Sequence, residues 1–136
     1  MEVYTDVVMD HLMNPRNVGV IENANGKGFA GDKDCGDYME LTLKVDKVIK
    51  NGVVNDVFIK DLKYLVHGCA GAIATSSMVS ELAIGKNIIE AYKLDDGDVI
   101  RALGGLPDEK VHCSLLGIAA LRTAILDFAE NDSEPS

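Results

Sequence analysis

Tryptophan is absent from this chain, and phenylalanine and tyrosine are few. Any core must therefore be built from aliphatic and small side chains. Bases are also scarce: 13 lysines and arginines stand against 22 acids, for a net charge of −9. A nucleic-acid binder should carry a basic face, because phosphate contacts supply most of its affinity. None is visible, and nucleic acid is excluded as a partner. Long apolar runs are missing too. The longest stretch without a formal charge, Tyr64 to Ser80, is rich in Gly, Ser and His and too polar to span a bilayer. The opening residues MEVYTDVVMDHL carry acids where a leader peptide needs bases. The expectation is a cytoplasmic protein with no membrane partner. Cysteine is limited to three residues, which cannot all pair, and a cytosolic setting disfavours disulfides. Cys35, Cys69 and Cys113 are thus reduced core residues or working thiols.

What is present fits one globular domain. The chain has 136 residues, 47% hydrophobic and 26% charged, with no internal repeat. Thr5 can cap a helix through about Met13, with Tyr4, Val7, Val8 and Leu12 on one side and His11 at the surface. Asn-Pro at 14–15 ends it. Residues 17–37, rich in Gly, Asn and Asp, read as a long loop. Met39, Leu41, Leu43 and Val45 then alternate with polar residues as a half-buried strand. Asn51-Gly52 signals a hairpin. Residues 53–59 and 62–66 supply a second and a third strand. Ala70 to Ile84 reads as a small-residue helix ended by Gly85. Short helices follow from Asn87 and from Asp95 or Asp96. From His112 the set Leu115, Ile118, Leu121, Ile125 and Phe128 steps at three and four, as in a long amphipathic helix. The fold class is α+β: a small three-stranded antiparallel sheet covered by about four to five helices, including a long C-terminal one. Residues 1–130 form the domain, and 131–136 an acidic tail expected to fray.

On that map each cysteine stands where an element begins or ends. Cys35 lies in the loop DCGDY, Cys69 at the strand-to-helix junction HGCAGA, and Cys113 in the first turn of the last helix. A helix N-terminus favours a thiolate, the nucleophilic and metal-binding form. Asp37, two residues after Cys35 in an extended segment, points the same way as Cys35. His112 adjoins Cys113, and His67 lies two before Cys69. Three thiolates with one harder ligand suit iron–sulfur chemistry or zinc. The spacings, 34 and 44 residues, include no C-x-x-C pair, which argues against an ordinary structural zinc site or a ferredoxin. Ligands that come singly from three junctions can open, as suits a group that is assembled and then released. GKGFAG, Gly26 to Gly31, matches a dinucleotide fingerprint only in letters, since no strand precedes it and no helix follows. DKDCGD lacks the glycine position and closing glutamate of a calcium loop.

The pieces NPRNVGV, CGDYMELTLKV, HGCAGAIATSS and GLPDEKVHCSLLGIAALRTAI, in this order and covering nearly the whole chain, resemble the iron–sulfur cluster assembly scaffolds of the IscU type and the N-terminal domain of NifU. The resemblance implies a non-enzymatic scaffold that takes sulfur from a cysteine desulfurase, combines it with iron into a labile [2Fe–2S] cluster, and hands it to apo-acceptor proteins. It makes Cys35, Cys69 and Cys113 the cluster thiolates, with Asp37 or His112 as fourth ligand and His67 a weaker alternative. Cys113 becomes the persulfide acceptor. Zinc can occupy the same ligands in the apo form, and a cluster shared between chains would bring self-association. The family's LPPVK or LPPEK is LPDEK here, Leu106 to Lys110. Losing the second proline removes extended preorganisation and argues against docking of an Hsp70-type chaperone. The rival reading is a zinc-binding or sulfur-carrier domain that builds no cluster.

Overall fold

Residues 4–32 and 37–133 are described by a computed structural model of the chain. Helix α1, Asp6–Met13, starts as expected, with the Thr5 hydroxyl accepting from the Val8 amide at 3.1 Å. The chain then crosses to the sheet edge, where Gly19 donates to the Tyr64 carbonyl and Tyr64 to the Asn17 carbonyl. Three antiparallel strands follow in the order β1-β2-β3: β1, Gly26–Asp32, β2, Asp37–Lys50, and β3, Val53–His67. The turn between β2 and β3 has positive φ at Asn51 and Gly52, the hairpin geometry that Asn-Gly favours. After β3 come α2, Ala70–Ala83, α3, Ile88–Tyr92, α4, Asp96–Ala102, a 3₁₀ helix over Asp108–Cys113, and α5, Ser114–Ser133.

The sheet has three strands, but not the three that alternation marks out. Residues 53–59 and 62–66 are one strand, interrupted by register shifts between Lys44 and Val45 and between Val48 and Ile49 on the facing strand. The third strand is β1, inside the presumed loop. Its residues are the decoy GKGFAG, whose glycines have poor strand propensity and conceal it. They serve packing. A Cβ on Gly28 would lie 2.2 Å from the Ala120 carbonyl oxygen, and one on Gly26 2.7 Å from that of Ala124. The bare strand lets the α5 backbone lie directly on it.

One face of the sheet, carrying Met39, Leu41, Leu43, Ile59, Leu62 and Tyr64, is buried under α2 and α5. Helix α2 is enclosed on almost every side, which its Ala, Ser and Thr content permits. Along α5, Ile118, Leu121, Ile125 and Phe128 are buried as expected, whereas Leu115 is 52% exposed. The 3₁₀ helix, not α5, carries residues 108–113, so the helical phase starts two residues later than the apolar spacing implies. Arg122 of α5 donates to the carbonyls of Tyr92 and Leu94 and sits over the Tyr92 ring, closing the open end of α3.

His11 is not at the surface. It is 4% exposed, with Nδ1 2.7 Å from the Ser77 hydroxyl of α2 and Nε2 3.4 Å from Glu81. Arg16 pairs with Glu81 and Asp10 and donates its amide to Ser77. With Ser77 accepting from Arg16, its hydroxyl proton is left for Nδ1 of a neutral imidazole. Burial first, then the Arg16 charge, holds the His11 pKa below its ordinary 6.5, against the opposing pull of Glu81 and Asp10. A base with a lowered folded pKa stabilises the fold above its unfolded pKa, and that stability fades as pH falls through 6.5 toward the folded value. Thermal melts from pH 7.5 to 5.5 should therefore show a falling Tm, with a shallower slope in His11→Asn. An equal slope in both proteins would remove His11 as the cause.

Candidate functional site

The end of the sheet where β3 runs into α2 collects the sulfur ligands. Cys69 is the N-cap residue of α2, extended at φ −74° and ψ 175°, and its carbonyl accepts the first helical amide, that of Ile73. Cys113 ends the 3₁₀ helix and is 4% exposed. Thr75 of α2 donates to the Cys113 carbonyl at 3.1 Å, and Ser114 donates to Val111, which together fix the junction between the 3₁₀ helix and α5. The two sulfurs, 44 residues apart in sequence, stand 3.5 Å from each other. Thiolates on one tetrahedral metal at about 2.3 Å would be about 3.7 Å apart, so the pair is spaced to chelate a single ion.

Glycine makes that approach possible. A Cβ on Gly71 would sit 3.2 Å from the Cys113 sulfur and 3.7 Å from the Cys69 sulfur. Gly71, two after Cys69 in HGCAGA, is marked in the sequence as a place of close approach, but what approaches it is set only once α2 and the 3₁₀ helix meet. Gly68 lies against the Asp37 carboxylate, whose Oδ1 would be 3.3 Å from its missing Cβ. Gly31, at φ +98°, packs so tightly on the Asp37 carbonyl that only glycine fits in both conformation and space. A cavity of about 290 Å³ opens beside the thiols, lined by Gly31, Asp37, Ala72, Cys113, Leu115 and Leu116. Asp37 and Cys113 thus face one space. The exposed Leu115 is explained by its position on that wall.

His67 is placed differently. It is the register partner of Tyr38, on the sheet face opposite the buried core, and its ring stacks on Tyr38 at 5.3 Å. Tyr38 in turn stacks on Phe29 at 6.0 Å. The structure gives His67 an aromatic partner rather than a place beside the two sulfurs. Cys35 and the side chain of His112 lie outside the described residues. Among the described residues, no three His, Cys, Asp or Glu side chains converge as a metal-holding group. The residues that flank the Cys35 segment, Asp32 and Asp37, are register partners across β1 and β2.

A family model, the NifU-like N terminal domain, matches residues 3–134. The chain belongs to this family. Its NifU-like character extends to named relatives. It is 50% identical over 126 residues to the iron–sulfur cluster assembly scaffold protein IscU 1 of Archaeoglobus fulgidus, covering 93% of this chain and 76% of that one. It is 40% identical over 128 residues to the IscU scaffold protein of Haemophilus influenzae, covering 92% and 94%. Against the nitrogen fixation protein NifU of Azotobacter chroococcum the identity is 38%, over 92% of this chain but 38% of the relative. Among solved structures, a candidate scaffold protein for the SUF system from Fervidobacterium islandicum AW-1 superposes with a TM-score of 0.66 at 26% identity. That match covers 90% of this chain and 96% of the other. The NifU-like N-terminal protein of Brucella abortus shares the fold at a TM-score of 0.63 and 19% identity, with 93% and 94% covered. The α+β NifU-like fold is therefore the frame in which the thiol pair sits.

Proposed function

We propose that this chain is a non-enzymatic scaffold for assembling a labile [2Fe–2S] cluster and passing it to apo-acceptor proteins. The observation that carries the reading is the Cys69–Cys113 sulfur pair, 3.5 Å apart and supplied by two separate element junctions. Iron and sulfide are the cargo, and Cys35, Cys69 and Cys113 are their thiolate ligands. The fourth ligand is Asp37 or His112; in support of Asp37, it opens onto the same cavity as Cys113. His67, whose ring stacks on Tyr38, is the weaker alternative. A carboxylate is a harder and more exchangeable ligand for iron than a thiolate, which suits a cluster that must leave.

Cys113 takes the sulfur. Its thiolate attacks the terminal sulfur of a cysteine desulfurase persulfide, the S–S bond of the donor breaks, and the donor thiolate departs. Electrons from ferrous iron and an external reductant then bring the sulfane sulfur to sulfide. Residues 1–130 make up the scaffold unit, followed by the acidic segment 131–136, of which α5 takes in residues 131–133. Asp108, in place of the second proline, opens a 3₁₀ helix, and Leu106 packs on the core. The missing second proline and the charge of Asp108 argue against Hsp70-type chaperone docking at LPDEK. We place the work in the cytoplasm, consistent with the absence, among the described residues, of any helix long and apolar enough to cross a membrane.

The test is anaerobic incubation with a cysteine desulfurase, cysteine and ferrous iron, followed by absorption spectra and addition of an apo-ferredoxin. Charge-transfer bands should form and then pass to the ferredoxin. Bands that form and stay would make the chain a holder of clusters. Retained zinc, which the same thiols and Asp37 could bind, with no labile sulfide would establish the zinc-binding or sulfur-carrier alternative instead.

A further inference from the structure

The end of the molecule away from the thiols carries two features that cluster assembly does not use. The first is a groove of about 270 Å³ between α3 and α5, walled by Ile88, Ile89, Tyr92, Leu126, Phe128 and Ala129. It lies some fifteen helical residues beyond Cys113 along α5, or about 20 Å. Ile89 and Leu126 are 63% and 55% exposed. Small-molecule clefts usually run from about 300 Å³ upward and hold a few convergent polar groups. This groove is smaller, and apart from Tyr92 its walls are aliphatic or phenyl, a shape suited to apolar side chains. The second feature is the β2–β3 hairpin tip. Ile49, Val53 and Val54 stand 62%, 65% and 50% exposed there, although β-branched side chains of this kind are normally buried. Among the described residues, six of the fourteen exposed large hydrophobics fall in these two features.

The charges nearest them are mostly opposite in sign. Between Asp46 and Asp56 the hairpin tip has two lysines and no acid. From Thr123 onward α5 has Asp127, Glu130 and Asp132, and α3 adds exposed Glu90, while Arg122 lies over the Tyr92 ring of the groove wall. The two features also lie at the same end of the molecule, because Lys47 reaches Asp132 on the last turn of α5 at 2.9 Å. A projection and a complementary groove side by side on one chain are the elements of a two-fold interface, in which each copy gives its tip and receives the other's.

We propose that a second copy of this chain docks at this end, its Ile49–Val54 tip seated in the α3–α5 groove and its Lys50 facing the acids of α5. The association is reciprocal, needs no cluster, and leaves both thiol sites open to solvent and to protein partners. A contact built from one tip and one short groove per copy is at the small end of specific interfaces, so the dimer is weak and concentration-dependent.

Sedimentation equilibrium of the reduced apo protein, from about 20 µM to about 1 mM, tests this; at the top of that range even a weak, millimolar pairing is visible. The mass should climb from 14.6 kDa toward that of two chains. Val53→Glu at the tip and Ile89→Glu at the groove alter exposed side chains and should leave the thermal melt unchanged, while each weakens association at least tenfold. A mixture of the two variants should associate better than either alone, since one tip–groove contact of the pair is then intact. A single-chain mass throughout, association indifferent to both substitutions, or a mixture no better than its parts would each overturn the proposal. Cluster formation by both variants should match that of the unmodified chain, which separates failure here from failure of the scaffold reading.

Discussion

Gly28→Ala should cost about 3–5 kcal/mol of stability, an effect at the severe end for a single methyl group. The reason is the layer contact between β1 and α5. The added carbon would lie 2.2 Å from the Ala120 carbonyl oxygen and 2.6 Å from the Ala124 amide nitrogen. Both are backbone atoms and cannot rotate away as a side chain could. Relief requires the helix to lift from the strand, and that lift opens voids around Leu121, Ala124 and Leu43, all fully buried. For a chain of this length, a loss of that size corresponds to a fall in Tm of roughly 10–20 °C. Urea or thermal unfolding reads it directly. A variant within about 1 kcal/mol of the parent would show that α5 lies more loosely on β1 than the structure places it. Because Cys113 immediately precedes α5, the same variant should also lose cluster capacity, a structural effect reaching the site through the helix.

Cys113→Ser should abolish sulfur acceptance and cluster formation while leaving the fold intact. Serine nearly matches cysteine in shape, and the bond from Thr75 goes to the backbone carbonyl of residue 113, which the substitution keeps. A hydroxyl forms no persulfide and is a poor soft ligand. Mass spectrometry after exposure to a desulfurase and cysteine, with visible spectra after iron addition, provides the measurement. Acceptance at the parental rate would move the sulfur to Cys35 or Cys69. Gly71→Ala is the graded companion. Alanine is the better helix former, so α2 should not weaken. Its methyl would stand 3.2 Å from the Cys113 sulfur and occupy the space between the thiols. Cluster yield should fall by at least roughly fivefold, about 1 kcal/mol of binding, with an unchanged melt. Full yield would mean that the cluster sits on the Asp37 side of the sulfur pair and does not use that space.

The sequence by itself determined much of this protein. The alternation from Met39 to Val45, the Asn51-Gly52 turn, the small-residue α2 and the three-and-four spacing of α5 are all local patterns, and local patterns report which face of an element is buried. Cys69 and Cys113 at element ends pointed, for the same reason, to the place where their two sulfurs meet. Capping, turn and junction chemistry is written in neighbouring residues.

Tertiary structure alone decided the rest. β1 has no apolar alternation, because the glycines that face α5 carry no side chains to alternate; only the approach of a distant helix gives them meaning. His11 looks like a solvent-facing histidine of an amphipathic helix until α2 brings Ser77 and Glu81 against it. The joining of residues 53–67 into one strand depends on bulges that absorb the irregular spacing against β2. The 3.5 Å meeting of Cys69 and Cys113 depends on the absence of a side chain at Gly71 and on the grip of Thr75 on the 3₁₀ helix. These are contacts across tens of residues, set by how helices pack on a sheet, and no window of neighbouring residues contains them.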